Sequence, residues 1–228
     1  MSGLTGILCA VEQEIHPFLD SIQTTSTTEK GALEFIHGFL DESEVVLVRS
    51  GMGKVNAACA AQSMIDHFPI DRLIISGVGG SLDKNLRLFD LIVCDRCTHH
   101  DLPMDIITGD YPRMDTPWFY SDRSLFSAVI AANEHIRPGI MVTGEKFIDC
   151  EGRAELTSRF SAEGLLAADM ETAAVAQACF ANSVPFCAVR AISDTEEACG
   201  LDVFWQNVAK ASVLAHNAVV TLLKKINL

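Results

Sequence analysis

The sequence predicts an α/β protein with one domain, built on a mixed, mostly parallel central sheet flanked by helices. Apolar segments of strand length alternate along the chain with longer segments of helical periodicity. Most of the strand segments are continuously apolar, which is typical of strands that are covered on both faces. A chain of 228 residues can bury one sizeable core, so residues 1–228 are interpreted as a single domain.

The predicted elements follow this alternation along the chain. The strand segments are TGILCAV, LEFIHGF, EVVLVR, RLIISG, LIVCD, GIMVTG, LLAAD and PFCAVRAIS. Helices are expected near residues 12–22, 54–68, 122–134, 151–161, 170–182 and 201–225, the last with an apolar stripe at helical spacing. The segment Asp101 to Tyr120, which contains three prolines, is expected to be a long irregular connection.

Composition excludes several classes of protein. Lys and Arg total 17 against 30 Asp and Glu, a net charge of −13, which argues against nucleic-acid binding. No apolar segment reaches the roughly 18 to 20 residues that span a bilayer, and the N-terminal segment lacks the basic region of a signal peptide. We therefore predict a cytoplasmic protein without a membrane partner, whose eight cysteines remain thiols.

Two glycine-containing segments resemble phosphate loops but do not match them. Around SGMGKVN, a Walker loop would need Gly at position 48, two residues before the segment, and Ser or Thr at position 55. Both positions are Val. In SGVGGSL, Leu82 stands where a dinucleotide fingerprint has its third glycine. Each segment is interpreted either as a plain turn or as a turn that a ligand approaches closely.

The segment CDRCTHHD contains one C-x-x-C pair followed by two histidines. A zinc site usually draws four ligands from well-spaced pairs, and a redox pair is normally presented at a helix N-terminus. Cys94 lies inside a predicted strand instead, so we predict neither a metal site nor a redox site, and no cofactor. Bound zinc or cycling thiols would contradict this interpretation.

Charged residues at the ends of two apolar strands need an explanation. In LAADMETAAVAQAC a strand leads into Asp169-Met170-Glu171 and then into an Ala-rich helix, where acids either stabilise the helix dipole or bind a ligand. VPFCAVRAISDT is apolar except for Arg190 and the closing Ser-Asp. Buried charges need partners, so Arg190 and Asp194 are expected to have them.

Six segments together resemble a known enzyme family. GILCAVEQEI, SGMGKVNAA, the glycine-rich turn after LIIS, VTGEKFI, ADMETAAVA and VRAISD are similar, in order and spacing, to motifs of the 5′-methylthioadenosine/S-adenosylhomocysteine nucleosidases. Those enzymes belong to the wider nucleoside phosphorylase superfamily. The resemblance covers about residues 4 to 223. It implies a nucleoside phosphorylase-like fold, an N-ribosyl hydrolase, a small purine nucleoside as substrate, and a homodimer.

The resemblance also implies site residues. Glu14 matches the general base that activates water, Asp194 matches the acid that protonates purine N7, and Arg190 would lie near Glu14 and the water. The implied substrate-binding residues are Glu171 at the ribose hydroxyls, Met170 against the sugar, Phe147 and the backbone of Ile148 at the base, Met52 and Phe204 around the 5′-alkylthio group, Ser193 beside Asp194, and Gly79 in the glycine-rich turn.

Breaking an N-ribosidic bond calls for such groups. The sugar gains positive charge and the leaving purine gains negative charge, so carboxylates favour the first and a carboxylic acid at the purine relieves the second. A base must also take a proton from the attacking water. Asp194 has to be protonated when it acts, and burial or neighbouring glutamates would favour that form.

Two departures from the family pattern bear on the reaction. Val78 stands where the family usually has a serine that helps to hold the water, and Leu88-Phe89-Asp90 replaces the usual Val-Gly-Asp. Phosphorylases of the superfamily place an Arg and a Ser around phosphate, and those positions here are Ile75 and Val78. Neither side chain binds an anion, so water is predicted as the nucleophile rather than phosphate.

Other interpretations stay open beside the methylthioadenosine nucleosidase. One is a nucleosidase for a different 5′-modified nucleoside, such as a futalosine derivative. Others are a purine nucleoside phosphorylase and a non-catalytic nucleoside-binding module; the presence of all three carboxylates argues against the last. The implied homodimer would bring the loop around Met104 to Trp118 to the neighbouring site, with Trp118 to Tyr120 at the interface or over their own core.

Overall fold

The computed structural model describes residues 3–160, 164 and 166–226. The strands are β1 Thr5–Cys9, β2 Gln23–Lys30, β3 Leu33–Leu40, β4 Ser43–Arg49, β5 Arg72–Ser81, β6 Leu91–His99, β7 Phe119–Tyr120, β8 Arg137–Thr143, β9 Leu166–Asp169 and β10 Phe186–Asp194. The helices are α1 Glu12–Ser21, α2 Lys54–His67, α3 Met104–Asp110, α4 Arg123–Ala132, α5 Cys150–Phe160, α6 Thr172–Asn182 and α7 Leu201–Ile226. The predicted fold class is confirmed.

One mixed sheet organises the described part of the chain. Its strand order is β10-β6-β8-β9-β5-β1-β4-β3-β2, with β7 paired to β6 and β10 also paired to β5. β5 has parallel partners on both sides, β1 and β10. The β2–β3–β4 end is antiparallel. Parallel strands bring their carboxyl ends to one edge, which is where α/β sheets bind ligands.

Helices cover both faces of this sheet. One buried apolar cluster joins the sheet to α1, α4 and α7, and a second joins its other face to α2 and α6. The apolar stripe predicted for the last helix is buried, as Phe204, Val208, Ala211, Ala215, Ala218 and Leu222 show. The continuously apolar strands follow from this arrangement, because side chains on both faces of each central strand meet a helix.

The predicted helices and strands all occur, and three elements were not predicted. β2 has the sequence QTTSTTEK, is almost wholly exposed and pairs with β3 as an edge strand, so it carries no apolar signal. The supposed irregular connection Asp101 to Tyr120 contains α3, anchored by the buried Ile107, and the short β7. Residue 161 of the helix predicted at 151–161, and residue 165 of LLAAD, lie outside the described residues.

The glycine-rich segment after LIIS is a strand and not the turn expected from its composition. β5 runs on to Ser81, and β10 pairs with it throughout, with Arg190 opposite Gly77 and Asp194 opposite Gly80. Pairing with β10 along its length, and with β9 at Gly80 and Ser81, holds this segment extended despite its low strand propensity. The glycines therefore line a strand surface on which other side chains lie very close to the backbone.

The expectation that all eight cysteines remain thiols is wrong for two of them. Cys150, the first residue of α5, forms a disulfide with Cys199 in the β10–α7 connection, with Cα atoms 5.7 Å apart. The two are 49 residues apart in sequence, and the fold alone brings them together. Cys94 and Cys97 are buried thiols in β6. None of the helices in the described part of the chain is long and apolar enough to cross a membrane.

Candidate active site

A cavity of about 580 Å³ opens at the carboxyl ends of β5, β9 and β10. Ten of the eleven predicted site residues border it, and the eleventh, Arg190, is buried beneath it at 1 % exposure. The described residues around the cavity are Ala10, Val11, Glu14, Met52, Val78, Gly79, Gly80, Lys146, Phe147, Ile148, Arg153, Ala168, Asp169, Met170, Glu171, Ser193, Asp194 and Phe204. Segments far apart in sequence thus converge on one site.

Arg190 has the partners that its burial requires. Its Nη2 lies 2.7 Å from Asp169 Oδ2 and 3.5 Å from Glu171 Oε2, and its Nη1 lies 3.7 Å from Glu14 Oε1. We call Glu14, Asp169, Glu171 and Arg190 the carboxylate cluster. Burial by itself lowers the pKa of Arg190, but the three carboxylates outweigh burial and raise that pKa above its ordinary value. The cluster therefore keeps its cation at any pH at which the protein is folded.

Backbone amides hold Glu14 in place. Its Oε2 accepts hydrogen bonds from the N–H of Ala10 and Val11, at 2.7 and 3.1 Å, and its Oε1 accepts one from Val78 at 2.8 Å. Burial raises the pKa of Glu14, and Arg190 and these amides offset the rise only in part. A carboxylate whose pKa is raised in this way takes up a proton more readily, as a general base must.

Gly77 makes room for this contact. A Cβ atom at position 77 would lie 2.2 Å from Glu14 Oε1 and 2.4 Å from Arg190 Nη1. A Cβ atom essentially never lies within about 3 Å of such an atom, so glycine at position 77 permits the approach. One glycine of the SGVGGSL segment is therefore required by the site itself.

Glu171 immediately precedes α6 and faces the turn that precedes α2. Its Oε1 accepts a hydrogen bond from the N–H of Gly53 at 2.9 Å, and Gly53 has a φ of +97°, a conformation that favours glycine. Burial raises the pKa of Glu171 to about 8, assisted by Asp169 and Glu14 and opposed by Arg190. The SGMGKVN segment is thus a strand-to-helix turn that also contacts a site residue.

The other end of the cavity contains Asp194. Ser193 Oγ donates a hydrogen bond to Asp194 Oδ1 at 2.6 Å, and Arg153 of α5 forms an ion pair with Oδ2. Asp194 is 2 % exposed, as expected, but its charged partner is a cation and not the glutamate considered from the sequence. We call Asp194, Ser193 and Arg153 the acid end.

Aromatic and thioether side chains form the apolar part of the cavity wall. The Phe147 and Phe204 rings meet edge to face with centroids 5.8 Å apart. Met170 borders the cavity between Asp169 and Glu171, and Met52 is 43 % exposed at its margin. An apolar wall with a few charged groups at defined points is typical of a small-molecule site.

Comparisons with known proteins identify the family. The model of the phosphorylase superfamily matches residues 5–224. The chain belongs to this superfamily. It is 32 % identical over 230 residues to a 5′-methylthioadenosine/S-adenosylhomocysteine nucleosidase of Staphylococcus saprophyticus, covering 98 % of this chain and 100 % of that protein. The resemblance drawn from the sequence is confirmed, and so is the enzyme class it implies, an N-ribosyl hydrolase.

Solved structures of the superfamily have the same fold. A 5′-methylthioadenosine/S-adenosylhomocysteine nucleosidase from Colwellia psychrerythraea, in complex with adenine, has a TM-score of 0.89 and 28 % identity, covering 99 % of this chain and 96 % of that one. A futalosine hydrolase of Helicobacter pylori has a TM-score of 0.87 and 27 % identity, covering 98 % of each chain.

Three residues at the site of this phosphorylase-superfamily member were not predicted from the sequence. The sequence does not indicate that Asp169 binds Arg190, although this is the shortest contact that Arg190 makes. Thr172 accepts a hydrogen bond from Arg190 at 3.0 Å and donates one to Asp169. Arg153 lies in the segment EGRAEL, which looks like any exposed helix, and no local signal marks it. Within the described residues, no group of His, Cys, Asp and Glu side chains is arranged to hold a metal ion.

Proposed function

We propose that this enzyme hydrolyses the N-ribosidic bond of 5′-methylthioadenosine and S-adenosylhomocysteine and releases adenine. The proposal rests on the family, on the names of its relatives and on the placement of charged groups in one cavity. The two substrates are those in the name of the Staphylococcus relative, and the steps are assigned to residues of this chain.

The spacing of the two ends of the cavity is the observation that carries the proposal. On β5, Gly77 adjoins Glu14 and Arg190, whereas Gly80 adjoins Asp194. Three residues of a strand span about 10 Å. That length suits a nucleoside whose ribose lies at the carboxylate cluster and whose purine lies at the acid end.

At the ribose, Glu14 is the proposed general base. It would take one proton from a water molecule on the face of the sugar opposite the purine, and the resulting oxygen would bond to C1′. The negative charge of the carboxylate cluster would stabilise the positive charge that develops on the sugar. Glu171 would bind the ribose hydroxyls, and Met170 would pack against the ring.

At the purine, Asp194 is the proposed general acid. It would give its proton to N7 as the C1′–N9 bond breaks, so that the base leaves neutral. Ser193 would orient the carboxyl through its hydrogen bond to Oδ1. Phe147 would stack on the base, the backbone of Ile148 would bind the base edge, and Gly79 would allow a close approach. Met52 and Phe204 would line the 5′ group.

The charges around Arg190 favour water over phosphate as the nucleophile. Its guanidinium already pairs with the other three members of the carboxylate cluster, which are all acids. Ile75 is fully buried in the core, and Val78 presents an aliphatic side chain to the cavity. A phosphate ion beside Arg190 would lie among the three carboxylates that already bind this guanidinium, which is electrostatically unfavourable.

A second candidate is the hydrolysis of a futalosine-type nucleoside. The similarity to the futalosine hydrolase of Helicobacter pylori has nearly the same coverage and TM-score as that to the Colwellia nucleosidase. The two substrate classes differ in the 5′ substituent and in the base. The 5′ side of the cavity is bordered by the partly exposed Met52, which leaves room for a larger group.

The proposed active unit is a homodimer. Val55, Met52 and Phe180 are 69, 43 and 44 % exposed, and Met52 also borders the cavity. α2 and α6, which carry Val55 and Phe180, pack together. A second copy on this face would bury apolar surface and complete the 5′ side of the site. Within the single chain Phe119 is buried, Trp118 packs on Phe160 and Tyr120 is exposed.

The dimer is tested by light scattering with a charged substitution. Val55→Glu places a carboxylate on the proposed interface, and we expect a monomer with a raised KM for 5′-methylthioadenosine. Val213→Glu is the matched control, because Val213 is 44 % exposed on α7, a different helix from those of the interface. A wild-type protein that is monomeric at micromolar concentration would contradict the assignment.

The catalytic proposal is tested by measuring adenine release from both substrates, with and without phosphate. Free adenine and a free alkylthioribose at the same rate in both buffers are the expected result. Release only with phosphate would make the enzyme a phosphorylase. Release from a futalosine derivative alone would select the second candidate, and binding without turnover would indicate a nucleoside-binding module.

The cytoplasmic location stays a prediction. The Cys150–Cys199 disulfide is the feature that argues against it, because structural disulfides are rare in reducing compartments. Thiol counting on protein isolated under alkylating conditions decides whether the bond exists in the cell.

A further inference from the structure

Arg153 is a buried cation in direct contact with the proposed acid. Its side chain is 4 % exposed and that of Asp194 is 3 % exposed. One Arg153 nitrogen forms the ion pair with Asp194 Oδ2, a second donates to the carbonyl oxygen of Ser81, and Nε is buried without a hydrogen-bond partner among the described residues. Burying a guanidinium with one donor unsatisfied is costly, so this placement calls for a reason.

The position of Arg153 follows from the anchoring of its helix. Leu156 and Phe160 of α5 are buried in an apolar cluster with β8 and β9. Cys150, one turn before Arg153, is bound by its disulfide to Cys199, five residues after Asp194. α5 is thus fastened on both sides of Arg153, and the arginine is directed at the strand end that carries the acid.

A second acidic partner lies on the other side of Arg153. Arg153 borders the active-site cavity and also a second cavity, whose wall includes Glu196 and Glu197. Burial lowers the pKa of Arg153, and the charges of Glu196 and Asp149 offset this only in part. Lys146 borders the active-site cavity, and Asp83, Lys84 and Arg87 border the second cavity. The long side chain of Arg153 therefore has a carboxylate to bind on either side.

The observed pair conflicts with acid catalysis. A guanidinium beside a carboxylate favours the ionised carboxylate, whereas Asp194 must hold a proton in order to give it to purine N7. Arg153 also lies at the end of the cavity where the base would bind. For the reaction to proceed, Arg153 has to leave Oδ2.

We propose that Arg153 is a positioning residue that moves between two carboxylates during the reaction. In the ligand-free enzyme it binds Asp194 and keeps the acid ionised. When a purine occupies the cavity, Arg153 turns to Glu196, and Asp194 takes a proton from solvent that it then passes to N7. The inference rests on the proposed function, because it takes Asp194 to be the acid.

If Arg153 moves in this way, its removal should change the pH dependence of kcat/KM but not that of kcat. The pH dependence of kcat/KM reports the groups of the free enzyme, where Arg153 binds Asp194, and that of kcat reports the bound state, where it does not. Removing Arg153 should therefore move the alkaline limb of kcat/KM upward by about 1 to 3 pH units. The alkaline limb of kcat should stay where it is.

The experiment compares three variants with wild type, using adenine release across pH 5 to 10. Arg153→Gln should show the upward shift in kcat/KM alone. Arg159→Gln is the matched control on the same helix, because its guanidinium donates to the backbone carbonyls of His100 and Leu102, and it should show no shift. Glu196→Gln removes the second partner and should lower kcat/KM severalfold without an upward shift.

The outcomes separate this inference from the proposed function. If Arg153→Gln and wild type share one kcat/KM profile, or if Arg159→Gln shifts as far as Arg153→Gln, the inference is wrong. If the kcat limb moves together with that of kcat/KM, Arg153 stays on Asp194 in the complex and the movement is wrong. If wild type releases no base, or Asp194→Asn is fully active, the proposed function itself fails. Circular dichroism and thermal melts are the control measurements that test whether each variant is folded.

Discussion

The two ends of the cavity are held in different ways. At the carboxylate cluster, Glu14 accepts hydrogen bonds from three backbone N–H groups, and Glu171 accepts one from a fourth. Arg190, which lies on β10, pairs with all three acids. At the acid end, Asp194 depends on the neighbouring Ser193 and on an arginine of α5, a helix fastened by a disulfide. One end is fixed by the backbone of the sheet, and the other end depends on side chains that can move.

This contrast suits the two halves of the proposed reaction. A cation that develops on the sugar is stabilised best by charges that are fixed before it forms. A proton donor has to be loaded and unloaded once in each turnover. We therefore expect changes at the carboxylate cluster to affect folding and catalysis together, and changes at the acid end to affect catalysis more than folding.

The largest expected effect is at the acid end. Asp194→Asn should fold like wild type and lose about 10² to 10⁴-fold in kcat, because the amide cannot supply the proton. Adenine release and the melting temperature are the measurements. A variant with near wild-type turnover would show that the acid has been misassigned.

Arg190→Met should instead destabilise the whole protein. Three buried carboxylates would lose their cation, and breaking a buried ion pair costs about 3–5 kcal/mol in the free energy of unfolding. Arg137→Met is the matched control, since its 3.0 Å pair with Asp90 is partly exposed and should contribute at most about 1 kcal/mol. Urea titration of both variants measures the difference, and equal losses would contradict a special role for the carboxylate cluster.

Gly77→Ala should affect the carboxylate cluster without removing any charge. Its Cβ would overlap Glu14 Oε1 and Arg190 Nη1, so strand and side chains must shift, at a cost of about 1–3 kcal/mol, and turnover should fall. Gly109→Ala in α3 is the control, because no atom lies within 4 Å of the position its Cβ would take. An active, stable Gly77→Ala enzyme would mean that the approach of Glu14 to β5 is looser than observed.

The last prediction concerns the pH dependence of stability. Glu171 has a pKa of about 8 when folded, against 4.5 ordinarily, so the unfolded chain releases this proton first. Stability contributed by the protonated form is therefore lost as the pH rises from about 4.5 to about 8. Glu171→Gln lacks this titration, so its melting temperature relative to wild type should rise across that window. A constant difference between the two proteins would place the Glu171 pKa near its ordinary value.

Much of the fold was predictable because its central strands are apolar on both faces. The elements that were not predicted are stabilised in a different way. β2 is stabilised by pairing with β3 and not by burial, and the glycines after LIIS stay extended because they pair with β10 and, at Gly80, with β9. Apolar composition indicates which segments are buried. Hydrogen bonding to a strand distant in sequence leaves no pattern in the segment itself.

The sequence by itself determined the fold class, the family and ten residues around the cavity, because strand periodicity and short motifs are local properties of the chain. Only the tertiary structure decided the partners: Asp169 for Arg190, Arg153 for Asp194, and Cys199 for Cys150. Contacts between residues tens of positions apart depend on how strands and helices are arranged in space. The ion pair of the proposed acid with Arg153 is one such contact.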